Sequence, residues 1–321
     1  MVQSEFPGMQ SALAPAGAGA AQIDALTFLF TTVGAAVFLV FCVALAYALV
    51  HRKRRTERQP PDSDRRSTRW IVATGAALPL LVLLPILFYT FHTLRANDPR
   101  AREPALTLEV WGRQWWWEVR YLDAAPGNRF VTANEIRVPV GRPVELHLYS
   151  DDVIHSLWVP SLQGKMDLIP GRRTVLWLQA DSAGTYRGQC AEYCGLQHAR
   201  MALHVHAMPP AEYEEWARLQ RRPAAERADS AGREGARIFL ASGCILCHTV
   251  RGTPAGGRLG PDLTHLASRT TLAGGILPNT RGNLMGWIAN PQALKPGSRM
   301  PSVPLAPDTL HAIVHFLMGL E

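Results

Sequence analysis

Lysine is almost absent from this sequence. Only Lys53, Lys165 and Lys295 occur among 33 basic residues, so the net charge of +7 rests on arginine. The positive charge is scattered and has no aromatic platform beside it, unlike a surface that binds nucleic acid. Residues 231–321 carry 8 basic and 4 acidic side chains, whereas residues 94–230 carry 17 of each. The composition argues against nucleic-acid binding and indicates a basic C-terminal module behind a neutral one.

Two long stretches lack any charged side chain. Ala25–Val50 has 26 residues and Trp70–Phe91 has 22; as helices they would be roughly 39 and 33 Å long at about 1.5 Å per residue. Either length suffices to cross a bilayer, and Pro79 and Pro85 in the second run are tolerated in membrane helices. The two runs favour a transmembrane hairpin over a buried hairpin in a soluble core.

The basic residues near the hairpin predict its orientation. Lysine and arginine are missing from the first 25 residues, but His51–Arg69 contains eight of them. The positive-inside rule places this loop in the cytoplasm and both termini outside. The N-terminus shows no charged n-region followed by a short apolar core and a cleavage site, so no separate secretory signal is predicted.

Cysteine is scarce as well, with five residues in the chain. Cys42 lies in the first apolar run and is predicted to be a small apolar residue there. The other four form two separate motifs, a CxxxC at Cys190 and Cys194 and a CxxC at Cys244 and Cys247. These motifs are candidates for metal or cofactor binding.

Short β-branched runs alternate with turn signals between residues 106 and 207. The runs predicted as strands are Leu106–Trp111, Glu135–Val140, Val144–Tyr149, Thr174–Ala180 and Ala202–His206. This rhythm predicts a β-sandwich or barrel of about 100 residues. Helices are predicted after it, at Ala211–Arg222, Glu234–Ser242, Asn283–Asn290 and Pro307–Leu320, and a charged, alanine-rich linker at Arg221–Arg233.

Cys244, Cys247 and His248 form CxxCH, the attachment motif of c-type haem. Two thiols at this spacing can add to the two vinyl groups of one porphyrin, and the next residue offers its imidazole to the iron. A zinc half-site is the alternative, but no second CxxC or histidine pair follows at zinc spacing. The motif therefore predicts a covalently bound haem.

The sixth ligand of that haem is predicted to be Met300, in a Pro/Gly-rich loop 52 residues after His248. A thioether ligand raises the reduction potential of a haem. Met285 and Met318 lie on predicted helices and are predicted to be core residues, and His265 is a weaker alternative ligand.

The stretch from Cys190 to Met201 combines thiol, imidazole and thioether donors. Cys190, Cys194 and His198 recur every four residues and Met201 follows after three more. Such soft donors favour copper, but a mononuclear type 1 site uses only one cysteine. With His155 contributed from another strand, the donors fit two copper ions rather than one.

At these residues the chain resembles subunit II of the haem-copper cytochrome c oxidases, in the caa3-type variant with a fused C-terminal cytochrome c. The resemblance runs from Ser11 to Glu321. It rests on the hairpin, the tryptophan-rich WGRQWWWE at Trp111–Glu118, the motifs VxHSxxVP…KxDxxPGR and CxExCGxxHxxM, and the C-terminal CxxCH and KPGxxMP motifs.

The resemblance implies a ligand set for a binuclear CuA centre. Cys190 and Cys194 would bridge the two copper ions and His155 and His198 would bind one each. Met201 and the backbone carbonyl of Glu192 would be the axial ligands. The Glu192 side chain would bind magnesium where this chain meets subunit I. Trp115 matches the tryptophan through which electrons enter in this family.

The resemblance also implies a multi-domain architecture. The predicted parts are an extracytoplasmic tail (1–24), a transmembrane hairpin (25–93), an all-β cupredoxin domain with CuA (94–220), a linker (221–232) and an all-α class I cytochrome c domain (233–321).

Such a chain would be a multi-pass protein of the bacterial inner membrane with its two domains on the periplasmic face. Its expected partners are oxidase subunits I and III, membrane lipid, and a soluble or membrane cytochrome c or an upstream complex as electron donor. It would deliver electrons to subunit I, where oxygen is reduced to water and protons are translocated.

Three other functions are alternatives to this one. A membrane-anchored copper chaperone with a thioredoxin-like fold would have proline directly after its second cysteine and a βαβ pattern, whereas Gly195 follows Cys194 here. A nitrous-oxide or nitrite reductase with a fused cytochrome is a second alternative; the former needs a large histidine-rich propeller, for which 321 residues leave no room. A quinol-oxidising subunit II would have lost the copper ligands.

Several further residues are predicted to be structural or have two interpretations. His147, His204 and His206 match no ligand position, and Trp116 is predicted to pack on the opposite side from Trp115. Asp151 and Asp152 are either a solvated turn or an acidic docking surface for a basic cytochrome. Ser67–Asn97 contains no carboxylate, although many members of the resembled family have a glutamate there that helps protons to enter subunit I.

Overall fold

The computed structural model describes residues 10–51, 61–96, 103–123 and 125–321. Its first two elements are helix α1 (Ala18–His51) and helix α2 (Pro61–Ala96). Both contain spans apolar enough to cross a membrane, with hydropathies of 2.7 and 2.5, and α2 includes the two expected prolines. The two apolar helices are confirmed, and α2 already begins at Pro61, inside the predicted loop His51–Arg69. Residues 52–60 of that loop and the first nine residues lie outside the described residues.

The middle of the chain folds into two five-stranded sheets. The first has the order β3-β2-β1-β5-β8 and the second β4-β10-β9-β6-β7. Their strands are β1 (Leu106–Arg113), β2 (Trp116–Tyr121), β3 (Phe130–Ala133), β4 (Glu135–Pro139), β5 (Val144–Ser150), β6 (His155–Trp158), β7 (Met166–Leu168), β8 (Thr174–Leu178), β9 (Gly184–Cys190) and β10 (Ala202–Met208). Most neighbours are antiparallel, but β1 pairs parallel with β5 and β4 with β10.

The core of this sandwich follows from the alternation of side chains along each strand. Every second residue of β5 is buried, and Val144, Leu146 and Leu148 are fully inaccessible. Because successive side chains point to opposite faces of a sheet, this register directs the apolar set inward. Trp117 of β2 is also fully buried. The predicted β-sandwich is confirmed, and five of its strands, β2, β3, β6, β7 and β9, are additions to the five predicted runs.

The segment before α1 packs on the sandwich. The amide of Ala16 donates to the carbonyl of Ser161 at 2.7 Å. A β-carbon on Gly17 would lie 2.2 Å from the carbonyl oxygen of Gln179 and 2.8 Å from that of Leu162, so only glycine fits there. The C-terminal part of the predicted tail is thus a structured part of the β-domain.

The C-terminal module is helical, with one small hairpin. Its elements are α4 (Ser230–Ala241), a 3-10 turn (Gly243–Leu246), β11 (Thr271–Leu272), β12 (Leu277–Pro278), α5 (Arg281–Ala289), α6 (Pro291–Leu294) and α7 (Pro307–Leu317). Asp229 caps α4 by accepting from the amide of Gly232. A β-carbon on Gly235 would lie 2.1 Å from the carbonyl oxygen of Ala312, so α4 and α7 cross at a point where only glycine leaves enough space. An all-α cytochrome c domain is the fold expected for this module.

Helix α3 (Pro210–Gln220) lies between the two modules. It ends one residue before the predicted linker at 221–232, and α4 begins inside that range, at Ser230. Helix α1 likewise begins at Ala18, inside the predicted tail 1–24, and the domain bounds remain predictions.

The fully buried Leu146 gives a direct test of the sandwich core. Leu146→Ala should destabilise the β-domain by about 2–5 kcal/mol, because it leaves a cavity among packed side chains. Urea unfolding of the purified protein, followed by tryptophan fluorescence, should show an earlier transition. Leu259, which is 71% exposed, supplies the control: Leu259→Ala should leave the transition unchanged.

Candidate copper and haem centres

The two cysteines of the CxxxC motif lie in the connection between β9 and β10. Strand β9 ends at Cys190, a short 3-10 turn covers His198–Arg200, and β10 begins at Ala202. The Cys190 amide donates to the carbonyl of Met201 at 2.9 Å and closes the connection at its base. Four of the predicted ligand side chains therefore lie on one folded loop.

The donor atoms of this loop converge. Cys190 Sγ and Cys194 Sγ are 3.8 Å apart and both thiols are free. Cys194 Sγ lies 3.5 Å from His198 Nδ1 and 3.9 Å from Met201 Sδ. Cys190 Sγ lies 3.2 Å from the carbonyl oxygen of Glu192. Two thiolates on one tetrahedral ion, each about 2.3 Å from it, would be roughly 3.8 Å apart, so the spacing suits shared metal ligation.

His155 is the first residue of β6, and its side chain lies beside the same two cysteines. Leu157 of β6 pairs with Cys190 of β9, and this register puts His155 Nδ1 3.9 Å from Cys190 Sγ. The other ring nitrogen, Nε2, contacts Asp152 Oδ1 at 2.8 Å. A carboxylate that holds one imidazole nitrogen and turns the other towards the metal is the usual arrangement around a metal-binding histidine.

Gly112 makes room for that imidazole. A β-carbon at this position of β1 would lie 2.7 Å from Cδ2 of His155. Any larger residue at position 112 would displace the ring, because the clash is with a fully buried side chain. The glycine in the tryptophan-rich motif therefore has a steric role at the site.

The local electrostatics favour one thiolate before metal arrives. Burial opposes ionisation of Asp152, but hydrogen bonds from His155 and from backbone amides outweigh it and lower the Asp152 pKa to about 2. Burial also opposes protonation of His155, but Asp152 and Cys190 raise its pKa. The pKa of Cys190 is lowered, first by the hydrogen bond from Cys194, and the pKa of Cys194 is raised because a second adjacent charge is disfavoured.

The donor chemistry fits copper. The ligand atoms of His155, Cys190 and Cys194 lie within 4.8 Å of one another, and all three residues are buried. Two thiolates, two imidazoles and a thioether form a soft set that selects copper over magnesium or calcium. The residues present therefore suit the predicted centre, and their assignment as ligands remains a prediction.

Trp115 lies directly behind this loop. Its indole Nε1 donates to the carbonyl oxygen of Cys194 at 2.9 Å, and the side-chain amide of Gln114 donates to the same oxygen at 2.8 Å. The φ of Gly195 is +110°, and a β-carbon there would lie 3.1 Å from the Trp115 ring. The indole is thus hydrogen-bonded to the backbone of a predicted bridging ligand.

The haem motif occupies the start of the C-terminal module. Cys244 lies in the 3-10 turn after α4, and Cys247 and His248 follow directly. His248 Nδ1 contacts the carbonyl oxygen of Pro261 at 2.8 Å, so Nε2 is the nitrogen left to face an iron atom. Burial lowers the pKa of His248, which keeps the imidazole neutral, as ligation requires. These residues fit a covalently bound haem.

The alternative haem ligands differ in their surroundings. Both ring nitrogens of His265 contact carbonyl oxygens, those of Glu321 and Arg222, at 2.6 and 3.0 Å, which disfavours it as a ligand. Met285, Met300 and Met318 are all partly buried against the helical core. The carbonyl contacts disfavour His265 as a haem ligand. The three methionines are similarly buried, and Met300 as the sixth ligand stays a prediction.

The remaining histidines behave as structural residues. His147 Nε2 lies 3.1 Å from Glu145, and His206 Nδ1 lies 3.0 Å from Thr185 Oγ1. Burial lowers the pKa of His204 to about 4, so this residue stays neutral. Trp116 is half-buried beside the guanidinium of Arg113.

Asp151 and Asp152 do not share one surface, although both were considered for a docking surface. Asp151 is 41% exposed and pairs with Arg113 at 2.8 Å. Asp152 is 11% exposed, contacts His155, and lies 3.5 Å from Arg299 of the C-terminal module. The sequence did not predict that Asp152 contacts His155. The available signal was an acidic residue three positions before a candidate ligand.

Comparisons with known proteins match both modules. The family model of the periplasmic domain of cytochrome c oxidase subunit II matches residues 125–208, and that of cytochrome c matches residues 232–321. Cytochrome c oxidase subunit 2 of Alkalihalophilus pseudofirmus is 33% identical over 89% of this chain and 82% of its own length. The chain belongs to the cytochrome c oxidase subunit 2 family.

Other relatives are more distant. Subunit 2 of Bacillus subtilis is 28% identical over 97% of this chain and 92% of its own length. The crystal structure of the periplasmic domain of subunit II of cytochrome oxidase from Bradyrhizobium japonicum is 29% identical, with a TM-score of 0.36. It covers 37% of this chain and 96% of its own.

Membership of this family settles the broad identity of the chain. It is a membrane-anchored subunit II of a haem-copper oxidase with a fused cytochrome c domain, and it therefore associates with subunit I. The oxidase is an oxidoreductase complex, and its two matched domains imply copper and haem c as cofactors. The copper-chaperone alternative also required a βαβ fold, and the cysteine loop lies instead between antiparallel strands of a sandwich.

The two adjacent acids of this subunit II allow a matched test of the carboxylate behind His155. Asp152→Asn should weaken copper binding about 10- to 100-fold, because it weakens the partner that orients a metal-binding imidazole. Copper affinity of the purified protein can be measured by competition with a chelator. Asp151→Asn removes the neighbouring charge and should change the affinity little; equal losses in both variants would contradict a specific role of Asp152.

Proposed function

We propose that this subunit takes electrons from an external donor at a covalently bound haem c, passes them to a binuclear CuA centre and supplies them to the oxygen-reducing subunit I. The observation that carries this proposal is the convergence of two thiols, two imidazoles and a thioether beside Trp115. The two cofactors would supply one-electron redox chemistry. The chain holds them in a rigid, largely buried setting.

At the copper centre, Cys190 and Cys194 would hold both ions, and His155 and His198 would bind one ion each. Met201 and the carbonyl of Glu192 complete the two sites. The buried positions of both cysteines and His155 support this assignment, because they exclude water and other ligands. The loop is held between two strands, which limits rearrangement when the charge of the site changes.

At the haem, Cys244 and Cys247 would form the two thioether links, and His248 and Met300 would bind the iron. The hydrogen bond between His248 Nδ1 and Pro261 orients the imidazole. Met300 follows the Lys-Pro-Gly turn at 295–297, which brings its loop towards the sandwich. A His/Met ligand set suits a haem that accepts electrons at a high potential.

Trp115 and Glu192 have proposed roles next to the copper. The hydrogen bond from Trp115 Nε1 to Cys194 supports Trp115 as the residue through which electrons enter the copper centre. The Glu192 side chain is exposed, so it is available for a magnesium ion where this chain meets subunit I.

In the membrane, the two helices form a multi-pass hairpin with the basic segment His51–Arg69 on the cytoplasmic side and both domains on the periplasmic side of the bacterial inner membrane. Subunit III and a cytochrome c or an upstream complex are the further proposed partners. Ser67–Asn97 has no carboxylate, so either protons do not enter subunit I by that route or another residue supplies the group.

Spectroscopy of the purified chain loaded with copper tests the proposed centres. The electron paramagnetic resonance spectrum should show a mixed-valence binuclear copper signal beside a low-spin haem c. Cys194→Ser removes one bridging thiolate and should abolish the binuclear signal while leaving the optical spectrum of the haem intact. A mononuclear copper signal in the unaltered protein would contradict the proposal.

The haem ligand can be tested with two methionines of the same module. Met300→Leu should lower the reduction potential of the haem, because a thioether ligand raises it. Met285→Leu keeps the volume of a core methionine and should leave the potential unchanged. Redox titration followed by the haem absorbance measures both; a shift caused by Met285→Leu instead would move the assignment away from Met300.

A further inference from the structure

Lys295 is a buried lysine between the two modules. Its side chain is 2% exposed, and its Nζ lies 2.7 Å from the carbonyl oxygens of Trp115 and Arg200 and 2.9 Å from that of Ala273. Burial lowers the pKa of Lys295 to about 7, and the three carbonyls match the three N–H donors of its ammonium form one for one. Two of these acceptors belong to the β-domain, although Lys295 itself belongs to the haem module.

A buried carboxylate of the β-domain makes the reverse contact, to the haem module. Glu135 of β4 is 3% exposed, and its Oε1 accepts from the amide of Thr270 at 2.6 Å, from Thr270 Oγ1 at 2.7 Å and from the amide of Thr271 at 3.1 Å. Burial opposes ionisation of Glu135, but His206, Thr270 and Arg137 outweigh it and lower the pKa to about 2. The hydrogen bonds are therefore made to a carboxylate, which strengthens them.

Further hydrogen bonds join the modules around the copper loop. The amide of Ala202 donates to the carbonyl of Gly274 at 2.9 Å. Gln197 donates through Nε2 to the carbonyl of Pro296 at 2.6 Å, and Arg200 donates through Nη1 to that of Leu294 at 2.7 Å. Positions 197, 200 and 202 surround the proposed ligands His198 and Met201. The haem module therefore contacts the loop that carries the copper ligands.

The same contact covers Trp115. The φ of Gly297 is +81°, and a β-carbon there would lie 3.6 Å from the Trp115 ring and 3.2 Å from Leu196. Residues of both modules lie against the indole, and Trp115 is only 9% exposed. The surface over Trp115, where an external donor would have to approach, is thus occupied by the loop that leads to Met300.

We propose that Lys295 and Glu135 are positioning residues that dock the haem module on the copper-bearing end of the β-domain, so that an external donor cannot reach the copper centre directly and must reduce the haem. This inference rests on the proposed function, since it names how the proposed haem is positioned relative to the proposed copper centre. Each anchor is a buried charge paired mainly with main-chain groups of the opposite module. Neither anchor is itself a proposed ligand.

The docking can be tested in the full-length protein with Lys295→Met and Glu135→Met, which replace each charge by an unbranched apolar side chain. Each substitution should raise the undocked population about tenfold to a hundredfold, because it removes hydrogen bonds to a charged group. Hydrogen exchange followed by mass spectrometry should show faster exchange at residues 194–202 and 268–275 in both variants. Strand β5 should remain protected, which separates undocking from unfolding.

A conservative and a surface variant serve as controls. Glu135→Gln keeps the Oε1 acceptor and should give a smaller effect than Glu135→Met. Arg237→Gln removes an exposed ion pair with Glu234 on α4 and should leave exchange at the interface unchanged. Unchanged exchange at both segments in both methionine variants would overturn the proposed docking, whether or not copper and haem are bound.

The second readout is the route of electrons from a reduced soluble class I cytochrome c. Rapid mixing with the unaltered protein should reduce the haem before the copper. In the two methionine variants, transfer from haem to copper should slow and the external cytochrome should reduce copper without prior haem reduction. Direct reduction of copper in the unaltered protein would overturn the inference, whereas loss of the copper or haem signal there would contradict the proposed function instead.

Discussion

The antiparallel pairing of β6 with β9 determines whether this chain can bind copper. His155 lies 35 residues before Cys190 in the sequence, and only the register that puts Leu157 opposite Cys190 brings the imidazole to the thiols. A shift of one residue would direct His155 to the other face of the sheet. The glycine at position 112 makes room for the ring, and the carboxylate of Asp152 holds its orientation. The proposed ligand set is therefore a property of the folded domain and not of the cysteine loop alone.

The fold was largely predictable because its signals are periodic or compositional. Uncharged runs predicted α1 and α2, and alternation predicted five of the ten sandwich strands. The strands β3, β6 and β7 were missed since three or four residues cannot show a period. The longer β2 and β9 were missed as well, because polar residues and glycine interrupt their apolar pattern. At the site, the soft donors and the CxxCH motif predicted the chemistry, and the resemblance to a known family supplied the ligand roles.

The sequence could not predict which residues the side chains of Asp152 and Lys295 contact in the folded chain. Asp152 was considered for a docking surface, and its contact with His155 depends on the turn between β5 and β6 that only the folded chain forms. Lys295 was noted as one of three lysines and as part of a motif, but burial across a module boundary leaves no periodic signal. Contacts between residues 180 positions apart, such as Lys295 with Trp115, follow from the docking of complete modules and not from local sequence.

The two buried anchors have a consequence for how this protein can diverge. Lys295 binds three carbonyl oxygens, and Glu135 binds two amides and one hydroxyl. Main-chain groups are present whatever side chain is attached, so substitutions at Trp115, Arg200 or Ala273 preserve the acceptors of Lys295 as long as the backbone keeps its path. Selection for docking is then concentrated on Lys295, Glu135 and close-contact glycines such as Gly274, whose φ is +78° and where a β-carbon would lie 2.8 Å from the carbonyl oxygen of Trp115. Elsewhere in the interface, side chains can change while the main-chain acceptors remain.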